Sequence, residues 1–233
     1  MIPFRDNIPS RSFPLITVLL IVSNVVVFFY ELSLGRALEP FIERFGVTPA
    51  AVFAWPQSDE PFLAVVVPFF TSMFLHGGWL HLLGNMWYLW IFGDNVEDRL
   101  GHLTFLIFYL LSGLGAGIVH TVLNPQTVVP SVGASGAIAG VLGGYLVSYP
   151  FARVLTLVPI FIFVQIIEIP ALIVLGLWFV MQFFYGTASL AATSATNAGG
   201  VAWWAHVGGF VIGMLLIGLF PRKDRLRYEY PRT

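Results

Sequence analysis

Long stretches of this 233-residue chain carry no acidic side chain, and that distribution of charge limits what the chain can fold into. No Asp or Glu occurs from Leu100 to Ile167, or from Ile169 to Lys223. Only 10% of the residues are Asp, Glu, Lys or Arg, whereas a soluble domain carries about 25%. So few charges cannot cover a water-facing surface, which excludes a soluble globular protein. The 58% hydrophobic content excludes a disordered chain.

Two further properties of the composition exclude classes of chemistry and of partner. The chain has no cysteine, so disulfides, thiolate metal sites and cysteine nucleophiles are excluded. Its net charge of −1 argues against a nucleic-acid partner. We expect no metal and no cofactor. We also expect a single domain, residues 1–233, that is surrounded by the lipid bilayer.

The apolar stretches predict membrane helices, since such a helix needs about 20 mostly apolar residues. The predicted fold class is all-α, a polytopic bundle of six transmembrane helices. The second and fourth spans are short and rich in glycine, which is typical of helices that face protein rather than lipid. The six predicted spans are Pro14–Leu34, Trp79–Gly93, His102–Val122, Gly133–Ser148, Ile169–Tyr185 and Ala202–Phe220.

Three connecting segments are unusual. The outer loop Gly35–Gly78 contains an apolar run, Phe62–Leu75, that is broken by a proline and is too short to span. We expect this run to be interfacial or re-entrant. The segment Gly186–Gly200 consists mostly of Gly, Ala, Ser and Thr and is predicted to be a mobile linker. The apolar segment Phe151–Ile167 is also broken by a proline, and its pattern predicts no particular structure.

The basic residues predict the orientation. With six spans both termini lie on one side, and that side collects most of the arginines, whereas the other side has only Arg36 and Arg44. The positive-inside rule then places both termini in the cytoplasm. The basic tail, residues 221–233, should bind anionic lipid head groups there. We expect an integral protein of a prokaryotic plasma (inner) membrane.

Four polar residues lie in spans that are otherwise apolar, and polar groups in such places are candidates for function. His81 and Asn85 lie at the start of the second span, Ser135 opens the fourth, and His206 lies near the start of the sixth. In the predicted topology these three helices all enter the membrane from the outer side. The four residues therefore lie at similar shallow depth, near helix N-termini whose free N–H groups can stabilise an oxyanion.

A serine and a histidine at one depth suggest a nucleophile and its general base. Each residue also has an ordinary structural explanation. A serine in a glycine-rich membrane helix permits close packing, and a lone histidine often bonds a neighbouring helix. His81 and Asn85, one turn apart, could bridge two helices in the same way.

Two glycine stripes begin at the reactive residues. Their four-residue spacing lets two helix backbones approach closely, and pure packing explains the glycines equally well. If the two stripes meet, the Ser135 hydroxyl and the His206 imidazole come within hydrogen-bonding reach. The stripes are Gly136, Gly140 and Gly144 behind Ser135, and Gly209 and Gly213 behind His206.

Three motifs, taken together and in this order, resemble those of the rhomboid intramembrane serine proteases. Residues 81–85 (HLLGN) resemble the family's HxxxN motif. Residues 133–136 (GASG) resemble its GxSG motif, which is weak evidence alone because many hydrolases contain it. Residues 205–213 (AHVGGFVIG) resemble its AHxxGxxxG helix. The order of six spans also matches, and the resemblance covers roughly residues 63–218.

The resemblance implies a role for each residue. Ser135 would be the nucleophile and His206 the general base, while His81, Asn85 and the Ser135 backbone N–H would form the oxyanion hole. Substrates would be single-span membrane proteins, which would enter between the second and fifth helices past the Gly186–Gly200 linker. The residues implied in helix packing around the site are Gly133, Gly136, Gly140, Gly209 and Gly213.

The family uses a dyad without an acid, and the sequence agrees. No Asp or Glu lies near His206 in the later spans, so a third member of a triad is not evident. Some rhomboids stack a tyrosine on the histidine, but here that position is Ala139. Another group must therefore orient His206, and the candidates are Trp203, Trp204 or a residue of another helix.

Other functions fit less well. A zinc protease needs HExxH, which His76 and His81 do not form, and an aspartyl protease needs two membrane aspartates. A solute transporter would need a charged or repeated midplane site. The main alternative is a catalytically inactive, rhomboid-like binder of membrane proteins. The remaining histidines, His76, His102 and His120, are predicted to be structural or interfacial, although an approach of His120 to the site stays open.

Overall fold

The computed structural model of the chain describes residues 1–160, 163–191 and 201–220. These residues are mostly helical, as predicted, with one small sheet. Some neighbouring helices are connected through a short 3₁₀ turn. The elements are β1 Ile2–Asp6, α1 Leu15–Ser33, α2 Leu38–Phe45, α3 Pro49–Ala54, α4 Phe62–Thr71, α5 Trp79–Leu100, α6 His102–Leu123, α7 Ser135–Ser148, β2 Arg153–Ile160, β3 Phe163–Pro170, α8 Ala171–Ala191 and α9 Trp203–Leu219.

The long apolar helices make the chain an integral membrane protein. Across the described residues, α1, α6 and Ala171–Leu190 of α8 are each long and apolar enough to cross a membrane. The segment Phe62–Phe74 and helix α5 meet at a bend of 80° and would together count as a fourth, broken span. Helices α7 and α9 are apolar but shorter, with 14 and 17 residues. Length and composition therefore account for three or four of the six predicted spans.

Helix α5 continues well past the predicted end of the second span at Gly93, to Leu100. The added turns are polar, and they are stabilised by contacts with α1. The Glu97 carboxylate accepts hydrogen bonds from the backbone N–H groups of Ile16 and Thr17, at 2.9 and 2.8 Å. Those two N–H groups belong to the first turn of α1 and have no partner within their own helix. Hydropathy detects only the apolar part of such a helix, so the predicted span ends before the helix does.

Other boundaries also differ from the prediction. Helix α7 begins at Ser135 rather than at Gly133, because Gly133 has a positive φ of 126° that a helix does not allow. Helix α8 continues to Ala191, so the first six residues of the predicted Gly186–Gly200 linker are helical. The rest of that linker, residues 192–200, and the basic tail, residues 221–233, lie outside the described residues.

The sheet is the element that the all-helical prediction misses. Strands β2 and β3 form an antiparallel hairpin that covers most of the apolar segment left unassigned by the sequence and extends to Pro170, past the predicted start of the fifth span at Ile169. Strand β1 adds to the other edge of β2. Val154 and Thr156 are fully buried on one face of β2. β-branched residues and prolines favour a strand over a helix in this segment.

The sheet is attached to the helices through Asp6 at the end of β1. Its carboxylate accepts hydrogen bonds from the Asn95 side-chain amide, at 3.2 Å, and from the Tyr145 hydroxyl. Burial raises the pKa of Asp6 to about 6, because a charged carboxylate is poorly solvated there. The N-terminal strand is thereby fixed to α5 and α7.

Helix α7 lies at the centre of the bundle. Its residues from Gly136 to Tyr145 are all buried, and it contacts α5, α6, α8 and α9. A helix surrounded by other helices needs no lipid-facing surface, which explains how a span of only 14 residues can be accommodated. The central helix carries Ser135 at its first position.

Candidate active site

Ser135 and His206 come together at the ends of two neighbouring helices. Ser135 is the first residue of α7, and His206 is in the first turn of α9. The Ser135 Oγ lies 2.8 Å from the His206 Nε2. His206 is only 9% exposed, whereas Ser135 is half-buried. This distance permits direct proton transfer from the hydroxyl to the imidazole.

The other nitrogen of the His206 ring is held by a residue of α8. The Gln182 Oε1 lies 2.8 Å from the His206 Nδ1, and the Gln182 side chain is buried. An amide oxygen can only accept a hydrogen bond, so Nδ1 must carry the proton. Nε2 is then unprotonated and faces the serine hydroxyl. Gln182 thus selects the tautomer in which His206 can act as a base toward Ser135.

Aromatic rings of two helices enclose the imidazole. The Trp178 ring of α8 lies 5.9 Å from the His206 ring, at an interplanar angle of 33°. The Trp203 ring meets it edge-on, at 6.2 Å. The other candidate, Trp204, instead donates its indole N–H to the carbonyl of Gly186. His206 is therefore oriented by Gln182, Trp178 and Trp203.

The glycines of α9 bring its backbone against that of α7. A Cβ added at Gly209 would overlap the carbonyl oxygen of Gly136, and one at Gly213 would overlap that of Gly140. The two helices can lie this close only because these positions have no side chain. The Ser135–His206 distance is consequently set by contact between two backbones.

The stripe glycines of α7 lie mainly against a different neighbour, whereas Gly143 lies against the Phe210 carbonyl of α9. A Cβ at Gly140 would overlap the Ser112 side chain, and one at Gly136 would lie 2.7 Å from the Cβ of Ala116. Both of these neighbours belong to α6. The α7 stripe therefore makes room for α6, and the α9 stripe makes room for α7.

His81 and Asn85 lie on α5 next to the loop that precedes Ser135. A Cβ at Gly133 would lie 2.6 Å from the His81 Nε2 and 3.6 Å from the Asn85 Nδ2. The backbone N–H of Gly133 donates to the carbonyl of Ser72, at 2.8 Å, which holds the loop in place. Glycine suits position 133 for two reasons. Its φ is positive, and the His81 ring leaves no room for a side chain there.

His76 is connected to the site by a hydrogen bond with Asn85. The Asn85 Nδ2 lies 2.9 Å from the His76 Nε2, and both side chains are buried.

The other two histidines have different partners. His120 hydrogen-bonds Asn124, which directly follows α6, and His102 contacts Glu97. Among the described residues no group of three or more His, Cys, Asp or Glu side chains forms a metal site.

Comparison with known proteins shows the family of the chain. The family model of the rhomboid domain matches residues 64–223, more than half of the chain. The chain belongs to the rhomboid family. The resemblance inferred from the three motifs is thereby confirmed, and the matched region contains Ser135, His206, His81 and Asn85.

Several curated rhomboid proteins are similar to this chain. Rhomboid-like protein 11, chloroplastic, of Arabidopsis thaliana is 31% identical over 159 residues, which cover 66% of this chain and 52% of that protein. Rhomboid protein 1, mitochondrial, of Saccharomyces cerevisiae is 34% identical over 149 residues, covering 62% and 39%. Presenilin-associated rhomboid-like protein A, mitochondrial, of Danio rerio is 31% identical over 160 residues, covering 65% and 37%. The matched region is thus about half or less of each relative's length.

Sequence reasoning missed Gln182 and Trp178 of this rhomboid site. Gln182 is the strongly polar side chain in the apolar run of α8, so the rule that singled out the other polar residues would have found it. Trp178 lies one turn before it, on the same helix face. No signal in the sequence distinguishes this tryptophan from one that faces lipid.

Proposed function

We propose that this rhomboid family member is a serine endopeptidase that hydrolyses peptide bonds in or near the transmembrane segments of single-span membrane proteins. The observation that carries the proposal is the hydrogen-bonded chain from Gln182 through His206 to Ser135, with both distances at 2.8 Å. A serine that serves only packing needs no imidazole base, and a histidine that serves only structure needs no defined tautomer facing a hydroxyl.

The chemistry follows from the tautomer. The Ser135 Oγ attacks the scissile carbonyl carbon while its proton passes to the His206 Nε2. The tetrahedral intermediate collapses as the imidazolium gives that proton to the leaving amine, which leaves an acyl group on Ser135. Water then attacks the acyl-enzyme, again with His206 as the base, and releases the new carboxyl terminus.

The oxyanion of that intermediate needs hydrogen-bond donors. Ser135 is the first residue of α7, so its backbone N–H is not used inside the helix. The side chains of His81 and Asn85 lie beside Gly133, two residues before the nucleophile. These three donors form the proposed oxyanion hole, and losing one such donor typically costs roughly 10²–10³ in rate.

Six membrane spans remain our proposal for the topology: α1, α5, α6, α7, α8 and α9. At 1.5 Å per residue, α7 is only about 21 Å long, which is less than the thickness of the hydrocarbon layer. The burial of α7 on every side supports its place as an internal span despite this length. Water then has to reach Ser135 from the nearer membrane surface.

The orientation is also a proposal. β1 and β2 carry Arg5 and Arg153 in one sheet, so these two basic residues lie on the same side, as the positive-inside rule requires of cytoplasmic segments. The active site would face the outer side. A prokaryotic plasma membrane stays a prediction, since the relatives' names mention only the chloroplast and the mitochondrion.

The proposal is tested with the purified chain in liposomes and a single-span reporter protein. The wild-type protein should cut the reporter. A fluorophosphonate should label the wild-type protein covalently at Ser135. The Ser135→Ala variant should neither cut nor be labelled while it keeps the wild-type melting temperature. Cleavage that persists in Ser135→Ala would exclude the mechanism. Capture of the reporter without cleavage by wild type would favour the inactive binder.

Replacing Gln182 by leucine should lower the cleavage rate by roughly 10–10²-fold, because His206 then loses the acceptor that selects its tautomer. Gln182→Glu is the matched control, since it keeps an oxygen acceptor for the Nδ1 proton and should retain much more activity than Gln182→Leu. The measurement is the initial rate of reporter cleavage at equal amounts of folded protein. Equal rates for wild type and Gln182→Leu would mean that Gln182 does not orient His206.

A further inference from the structure

Helix α1 carries an acidic residue at a place where a membrane helix rarely has one. Glu31 is 2% exposed and lies on the buried face that α1 turns toward the bundle, in line with Asn24 and Phe28. A carboxyl group inside a membrane protein is costly and marks a candidate for function. It lies outside the dyad and its supporting residues, so the catalytic steps above leave it unused.

Glu31 binds the backbone of a residue that touches the site. Both of its carboxylate oxygens lie 3.2 Å from the backbone nitrogen of His76, which donates to them. His76 lies in the sharp bend between the 3₁₀ turn Ser72–Phe74 and α5. A backbone N–H in such a bend has no helical partner, and Glu31 supplies one.

The same bend orients the Asn85 amide. The Asn85 Nδ2 is a donor, so the His76 Nε2 at 2.9 Å must accept, and the proton of the ring is on Nδ1. The amide nitrogen, bonded to His76, lies on the side that faces Gly133. If the Asn85 amide were reversed, its oxygen would face Gly133 and would repel the negative charge of a developing oxyanion.

The bend also orients the His81 ring. The backbone N–H of Gly77 donates to the His81 Nδ1, at 3.4 Å, so the ring proton is on Nε2. That nitrogen is the one that lies against Gly133. Residues 76 and 77 thus hydrogen-bond both side chains of the proposed oxyanion hole, each in a state that can donate to an oxyanion.

We propose that Glu31 is a positioning residue that acts through His76 to hold Asn85 and His81 as donors to the oxyanion. The proposal rests on the proteolytic function proposed above. It couples the first membrane helix to the chemistry of α5 and α7, with no contact between Glu31 and the substrate.

Glu31→Leu should lower kcat for reporter cleavage by roughly 10–10²-fold with KM changed less than about twofold, because a transition-state interaction is lost. Glu31→Gln keeps an oxygen that accepts from the His76 N–H and should restore most of kcat. Asn24→Leu is the matched control: it removes another buried polar group from the same face of α1, one that donates to the Leu20 carbonyl of its own helix. An equal loss of kcat in Asn24→Leu would overturn the proposal.

A double-mutant comparison separates positioning from general damage. Asn85→Ala removes the donor that Glu31 is proposed to orient, so adding Glu31→Leu to it should lower kcat much less than Glu31→Leu lowers it in wild type. Full additivity of the two losses would overturn the proposal. Should Glu31→Leu fail to fold, Glu31→Asp, which draws the carboxylate back by one methylene, is used with an expected loss of at least about fivefold.

Hydrogen exchange tests the same contact without catalysis. Amides of residues 75–85 should exchange faster in Glu31→Leu than in wild type, and should be unchanged in Asn24→Leu. Unchanged exchange in Glu31→Leu would overturn the proposal even for an active enzyme. A wild type that cuts no reporter and resists fluorophosphonate labelling would instead overturn the proposed function, and the exchange result would still decide whether Glu31 holds the bend.

Discussion

Replacing His206 by alanine should reduce cleavage by on the order of 10⁴-fold, about as much as Ser135→Ala, and the double replacement should cost no more than either one. The reason is the single hydrogen bond between Nε2 and Oγ. The hydroxyl is a poor nucleophile without the base, and the base has no proton to take without the hydroxyl. Two residues that perform one step cannot lose their contributions independently.

The measurement is reporter cleavage by the two single variants and the double variant, with folding checked by thermal unfolding in detergent. His120→Ala is the histidine control, since His120 is also buried but hydrogen-bonds Asn124 rather than the dyad. It should keep activity within about tenfold of wild type. Losses that multiply in the double variant would show that Ser135 and His206 act in separate steps.

Replacing Gly213 by alanine should lower both the stability of the protein and its rate of cleavage. The added Cβ would overlap the backbone carbonyl of Gly140, which cannot move aside as a flexible side chain could. Overpacking of this kind typically costs about 1–3 kcal/mol of stability. Separating α7 from α9 by even 1 Å also misplaces His206 relative to Ser135, which should lower cleavage by roughly 10²-fold.

Gly218→Ala is the matched control on the same helix, because a Cβ there meets nothing within 4 Å. It should leave both the melting temperature and the cleavage rate near the wild-type values. Comparing the two variants separates the loss of close approach from the general effect of replacing a glycine in α9. If Gly213→Ala melts and cuts as Gly218→Ala does, the backbone contact between α7 and α9 is not what holds the dyad.

Much of the site could be anticipated because its residues interrupt a uniform pattern. Ser135, His206, His81 and Asn85 are polar residues at the starts of apolar segments, and their common depth followed from counting spans. Gln182 and Glu31 interrupt apolar runs in the same way. They were missed because Gln182 lies in the middle of α8 and Glu31 lies near the end of α1, whereas the argument from helix N-termini covers only the starts of helices.

The parts of the fold that could not be anticipated depend on contacts between distant segments. The polar end of α5 is helical because the start of α1 binds Glu97, and hydropathy within a window cannot register that partner. The hairpin of β2 and β3 has the composition of a membrane segment, and its pairing with β1 comes from the far end of the chain. Local pattern predicts where helices exist, and tertiary partners decide where they end.

The three-stranded sheet has a consequence for how the protein is made. The strand that β1 pairs with is made about 150 residues after β1 itself. At about 5–20 residues per second, roughly 8–30 s pass before that strand exists. During this interval α1, α5, α6 and α7 can enter the membrane while β1 stays unpaired. The sheet can therefore close, and join β1 to the bundle, only after α7 with Ser135 has been made.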